Sequence, residues 1–140
     1  KTDGAQRPNG IALTPHQGTL AVSDYGGRYT WVWRLEKDGS LSLRQPYITL
    51  RTPTPDLPSK GDGMTTDAVG RYYVTSAVGL QMFDPTGRMG GVIAAPTEKP
   101  IVSVAFAGPG HQYLYVAAGD EIFRRKTKSS GIEAVRSEQK

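Results

Sequence analysis

The chain has 140 residues, 17 Lys/Arg against 13 Asp/Glu for a formal charge of +4, no cysteine, and 17 glycines and 10 prolines. That length suffices for one domain with its own core. The lack of cysteine excludes disulfides, thiolate metal sites and a cysteine nucleophile, and no run approaches the roughly 18 apolar residues of a membrane span. The high glycine and proline content favours many short strands over long helices.

The opening KTDGAQRPNG has neither a methionine nor an apolar leader, and reads as a mature form or, better, a piece of a longer protein. From there three similar units follow. GIALTPHQGTLAVSD (10–24), GMTTDAVGRYYVTS (63–76) and SVAFAGPGHQYLYVAA (103–118) share one layout: a short apolar strand, a glycine-containing turn, then an alternating strand. The second strands, starting at Thr19, Arg71 and Tyr113, lie 52 and 42 residues apart, and the shorter interval is close to the ~40–45-residue period of propeller blades.

Each unit continues outward. In the first, YTWVWRLE (29–36) alternates, Lys37-Asp38-Gly39-Ser40 carries an Asp-Gly hairpin signal, and LSLRQPYITL follows. The second repeats this plan with Asp84-Pro85-Thr86-Gly87 as its turn, and the third offers one outer strand, DEIFRRK, before fading. The expected fold is therefore all-β: a β-propeller of about three four-stranded blades, over 8–52, 60–97 and 100–128, the last incomplete. Residues 1–128 form this partial propeller, and 129–140 are a polar, basic tail whose last residues, from Glu133, have nothing to anchor a helical turn. Three blades cannot close a ring that normally holds about 4–8. Either a missing N-terminal half or a second copy of the chain is needed.

The excess charge lies at the end. Residues 1–123 hold 11 basic and 11 acidic side chains; residues 124–140 hold six and two. Arg124-Arg125-Lys126 has no interleaved aromatic pattern for stacking bases, so a solvated strand and tail explains it better than nucleic-acid binding. Neither nucleic acid nor a membrane is an expected partner, and the compartment stays open.

Laying the units over one another puts Asn9, Asp62 and Val102 at one position, the turn entering each inner strand. Side chains there can converge at one mouth of a channel. Asn and Asp oxygens are hard ligands suited to Ca²⁺, Mg²⁺ or Mn²⁺, and the carboxylate also tolerates Zn²⁺. Two ligands fall short of the about 6–8 oxygens that calcium takes, and Asn-Gly and Asp-Gly are also ordinary turn dipeptides. Arg28, after Gly26-Gly27, and Lys60, in the proline-stiffened loop RTPTPDLPSKG (51–61), are candidates to touch substrate. His16 and His111 fall in turns away from Asn9 and Asp62, Asp67 and Asp84 fit as turn residues, and no nucleophile elbow supports a triad of Ser23 or Asp24 with His16.

PNGIALTPHQGTLAVSD, GDGMTTDAVGRYYVTSAVGLQMFDPTGR and VSVAFAGPGHQYLYVAAGDEIFRRK together resemble, in order and spacing, the C-terminal half of the SMP-30/gluconolactonase family over roughly residues 7–126. The resemblance implies a six-bladed propeller with a divalent metal, calcium first among the candidates, at the channel mouth. It maps a metal-ligating Asn onto Asn9, and a residue that is both metal ligand and proposed general base onto Asp62. The family's Glu ligand, and a second Asn and an Arg that hold substrate, belong to segments absent from these residues. The implied chemistry is hydrolysis of a lactone, possibly a sugar lactone, or a related ester. The competing expectations are a non-catalytic propeller that binds a ligand or protein, and a half-propeller that dimerises without activity.

Overall fold

A computed structural model describes residues 4–133. Eleven strands fill three antiparallel sheets, and among the described residues there is no α-helix, only a single 3₁₀ turn at Pro109–His111. Sheet one runs β1 (Pro8–Leu13), β2 (Thr19–Asp24), β3 (Tyr29–Leu35) and β4 (Leu41–Thr49). Sheet two runs β5 (Met64–Thr66), β6 (Tyr72–Ser76), β7 (Gly79–Phe83) and β8 (Met89–Ile93). Sheet three has β9 (Ile101–Ala107), β10 (Tyr113–Ala118) and β11 (Glu121–Lys126). Strand order equals chain order in every sheet, as expected when each strand pairs with its sequence neighbour through a short turn.

The turns follow from local chemistry. Between β3 and β4, Asp38 Oδ1 accepts from the Ser40 amide at 2.9 Å, and Gly39 takes φ 83°. Between β7 and β8, Asp84 Oδ1 accepts from the Thr86 and Arg88 amides at 2.8 and 3.0 Å, and Gly87 takes φ 82°. The same device appears twice: an aspartate satisfies the turn's amides and a glycine supplies the left-handed residue.

Sheet two is the middle layer. All five residues of β6 are buried because alternate side chains enter two different cores. Tyr72 and Val74 pack with Ala21, Val32, Ile48 and Leu50 of sheet one and the segment after it; Tyr73 packs with Ile101, Val104 and Leu114 of sheet three. Trp33, Tyr72 and Tyr73 are buried and Trp31 is partly exposed, and Tyr73 meets Phe106 edge-on at 5.1 Å between centroids. The first strands stand side by side, β1 against β5 and β5 against β9. Their entry turns therefore gather at one end of the molecule, while His16 and His111 lie in the turns at the other end of their strands.

Beyond β11 the chain turns back across sheet two. Ser129 Oγ accepts from Arg71 Nη2 at 2.9 Å and shares a hydrogen bond with the Tyr73 hydroxyl at 3.1 Å, and Gly131 pairs with Asp67. So the first residues of the expected tail dock, and residues 134–140 lie outside those described.

Candidate functional site

Two entry turns carry the candidate ligands, and both are bulged. Pro8 pairs with Asp24 and Ile11 with Val22, so Asn9 and Gly10 together oppose the single residue Ser23. In sheet two the Asp62 amide donates to Thr75 O at 3.0 Å while the Thr75 amide donates to Gly63 O at 2.9 Å, so Asp62 and Gly63 together oppose Thr75. A bulge bends its strand and re-aims a side chain. Here it does so at two equivalent positions, and both places hold an oxygen donor.

The two turns touch. A Cβ built on Gly10 would lie 2.2 Å from the Asp62 carbonyl oxygen, so only glycine allows this approach. Gly63 meets Val102 and Ser103 of the next strand in the same way, at 2.7 Å. Asn9, Asp62 and Val102 are thus spatial equivalents as well as sequence equivalents. Asn9 is exposed and Asp62 is half-buried. Burial raises the Asp62 carboxyl above its ordinary value; the Gly63 amide and the positive charge of Arg7 pull it back. No salt bridge engages Asp62 among the described residues.

Three residues to which sequence reasoning gave no structural role hold the two turns together. Ser23, fully buried, accepts from the Gly10 amide at 2.8 Å and donates to the Asp62 carbonyl at 2.5 Å. Asp24 accepts from the Gln6, Arg7 and Gly26 amides at 2.9, 2.7 and 3.2 Å, and thereby fixes the segment leading into β1. Ser59 ties the proline-rich loop to the turn after β2, donating to Gly27 O at 2.9 Å. Arg7, held by Asp24, lays its guanidinium over Tyr25 at 4.7 Å. An aspartate at a strand end followed by two glycines was the available signal for Asp24; nothing local signalled Ser23 or Ser59.

Arg28 and Lys60 are both exposed but lie in different hollows. Arg28 shares one with Tyr29, Trp31 and Asp56; Lys60 shares another with Ser76, Val78 and Glu98. Neither Asn9 nor Asp62 lines either hollow. Among the described residues no three His, Cys, Asp or Glu side chains cluster as a metal site would need. The pair Asn9 and Asp62 fits part of an oxygen-ligated cation site and leaves most of its coordination to other donors.

Residues 1–120 match the family model described as SMP-30/Gluconolactonase/LRE-like region. The chain belongs to that family. A gluconolactonase of Zymomonas mobilis is 31% identical over 132 residues, which cover 91% of this chain and 37% of that protein. A pentonolactonase of Haloferax volcanii is 30% identical over 122 residues, covering 84% and 40%. This member of the SMP-30/gluconolactonase family therefore spans less than half the length of the curated relatives it matches. Among solved structures, a gluconolactonase of Xanthomonas campestris superposes with a TM-score of 0.69 at 27% identity, covering 84% of this chain and 36% of that one. A regucalcin of Agrobacterium tumefaciens, described as a calcium-binding protein, superposes with a TM-score of 0.75 at 19% identity, over 89% and 47%. That likeness speaks for the fold alone.

Proposed function

We propose that this chain is half of a six-bladed propeller that hydrolyses a lactone, possibly a sugar lactone, or a related ester, with Asn9 and Asp62 as its share of a divalent metal site. One observation carries the reading. Two bulged turns bring an Asn and an Asp to the same end of adjacent inner strands, in a family whose similar members include a gluconolactonase and a pentonolactonase. The length ratios support the half-propeller, since the matched structures extend well beyond the matched region.

Asn9 and Asp62 would hold the cation: an all-oxygen donor pair suits Ca²⁺, Mg²⁺ and Mn²⁺ alike and tolerates Zn²⁺, and the family resemblance puts calcium first. When bound, such a cation polarises a carbonyl and stabilises the charge that builds on its oxygen. Asp62 takes the proton from a water whose oxygen attacks the lactone carbonyl carbon. The ring C–O bond then breaks, and the same proton returns to the departing alkoxide, giving the open hydroxy acid. Burial raises the Asp62 carboxyl in the metal-free chain, whereas a cation held beside it would lower it, so the placing of the attacking water beside the carboxylate must make it an effective acceptor. Arg28 and Lys60 line hollows that neither Asn9 nor Asp62 enters, so they would meet substrate only beyond the turns that carry the candidate ligands.

The test is a calcium titration by calorimetry on the protein and its Asp62→Ala variant, with solution mass measured alongside. Binding that the substitution abolishes is the expected result. Binding that survives Asp62→Ala overturns the assignment of Asp62, and a stable dimer replaces the missing half by a second copy.

A further inference from the structure

The two joints between inner strands are built from the same parts but closed differently. Each bulge frees a glycine amide from its own sheet. At the second joint the Gly63 amide donates directly to the Val102 carbonyl of sheet three, at 3.0 Å. At the first joint the Gly10 amide does not reach the corresponding Asp62 carbonyl. It donates instead to Ser23 Oγ at 2.8 Å, and Ser23 Oγ donates onward to Asp62 O at 2.5 Å. A hydroxyl has been inserted into a contact that is made directly one sheet further on.

The equivalent side chain at the second joint is Thr75, whose Oγ1 donates back to Gly63 O at 3.1 Å, within its own sheet. Only at the joint between Asn9 and Asp62 does the hydroxyl bridge two sheets. Ser23 is fully buried, so no water competes for its bonds. Its neighbour Asp24 anchors the chain before Asn9, and Ser59, which donates to Gly27 O and accepts from the Gly61 amide at 3.2 Å, anchors the chain before Asp62. Ser23 is the link between those two anchored segments.

We propose that Ser23 is a positioning residue whose hydroxyl, seated opposite the Asn9-Gly10 bulge, sets the separation of the two turns that bear the metal ligands. The proposal rests on the reading of Asn9 and Asp62 as ligands. Groups that orient ligands without touching the metal typically cost about 10–100-fold in affinity when lost, and Ser23 belongs in that range.

The experiment compares the wild-type protein with Ser23→Ala and Ser23→Thr by two readouts: calcium affinity by calorimetry, and amide hydrogen exchange at Gly10 and Gly63 by NMR. Ser23→Ala should weaken calcium binding about tenfold and speed exchange at Gly10 while leaving Gly63 unchanged. Ser23→Thr, which keeps the oxygen, should restore both. Unchanged calcium affinity in Ser23→Ala overturns the proposal, whether or not Gly10 loses protection. Should Ser23→Ala fail to fold, Ser23→Thr decides: near-wild-type affinity and protection support the role, and loss of either opposes it. A wild-type protein that binds no calcium counts against the metal reading itself. The exchange at Gly10 then still reports on the relay: unchanged exchange in Ser23→Ala overturns it, and selective loss supports it.

Discussion

Asp62 and Asp67 stand at the two ends of β5, five residues apart, and do opposite things with the same side chain. Asp67 is fully buried and saturated: it accepts from the Val69 and Arg71 amides at 3.1 and 2.9 Å, from Arg71 Nε at 2.6 Å and from the Tyr73 hydroxyl at 3.0 Å. Asp62 is half-buried, at a bulge, and engages no cation in a salt bridge among the described residues. A carboxylate with every acceptor site used belongs to the fold. One that is partly desolvated yet left unpaired has capacity for a ligand or a proton.

The contrast is broken if the two aspartates respond alike to removal. Asp67→Ala should cost about 1–3 kcal/mol of stability, because it leaves the buried Tyr73 hydroxyl and the Val69 and Arg71 amides without their acceptor, and it should loosen the Ser129–Gly131 clasp. Urea unfolding checks this. Asp62→Ala should leave the urea midpoint nearly in place, yet slow lactone hydrolysis by the complete ring about a hundredfold or more. A large stability loss in Asp62→Ala would make it a second Asp67.

The glycine beside each candidate ligand sharpens the comparison further. Gly10→Ala would drive a methyl group into the Asp62 carbonyl, and sheet one must shift off sheet two to admit it. A loss of about 1–3 kcal/mol is expected from such overpacking, together with weakened calcium binding. Gly18→Ala, in the turn at the other end of sheet one, meets nothing within 4 Å and serves as the silent control. Thermal melts of the two variants should separate clearly.

How much of this could be read from the sequence depends on how local the cause is. Alternation and the Asp-Gly turns marked the strands of sheets one and two, because pairing between sequence neighbours is a local matter. Laying the units over one another put Asn9 and Asp62 at equivalent positions, because repetition exposes such equivalence, and the contacts between the two turns agree. The same reasoning took Asp67 for a turn residue, which is correct as far as Val69 and Arg71 go. It missed the burial, which depends on Ser129, 58 residues from Arg71, closing over the network. Asn9-Gly10 read as the turn entering an inner strand, whereas the bulge inside β1 is visible only once Pro8 and Ile11 are paired against β2. Ser23 was weighed only as a nucleophile and set aside. Its contact with Asp62 spans 39 residues and has no sequence signature.

The smallest expected effect is also the most specific to Asp62. Burial raises its carboxyl in the folded chain above the unfolded value. The folded state therefore holds this proton more tightly than the unfolded state, and stability from this group is fully present below the unfolded pKa. It is lost as pH rises through the folded pKa, where the half-buried carboxylate must carry its charge. In metal-free buffer, Asp62→Asn should then be more stable than wild type at neutral pH, by about 0.5 kcal/mol or less given its partial exposure, and the gap should close in acid. Added calcium should reverse the order, because only the wild-type carboxylate gains a cation to offset its desolvation. Urea melts of both proteins at two pH values, with and without calcium, measure all four corners. A variant that stays the more stable in calcium would show that the partly buried Asp62 carboxylate has no cation to meet.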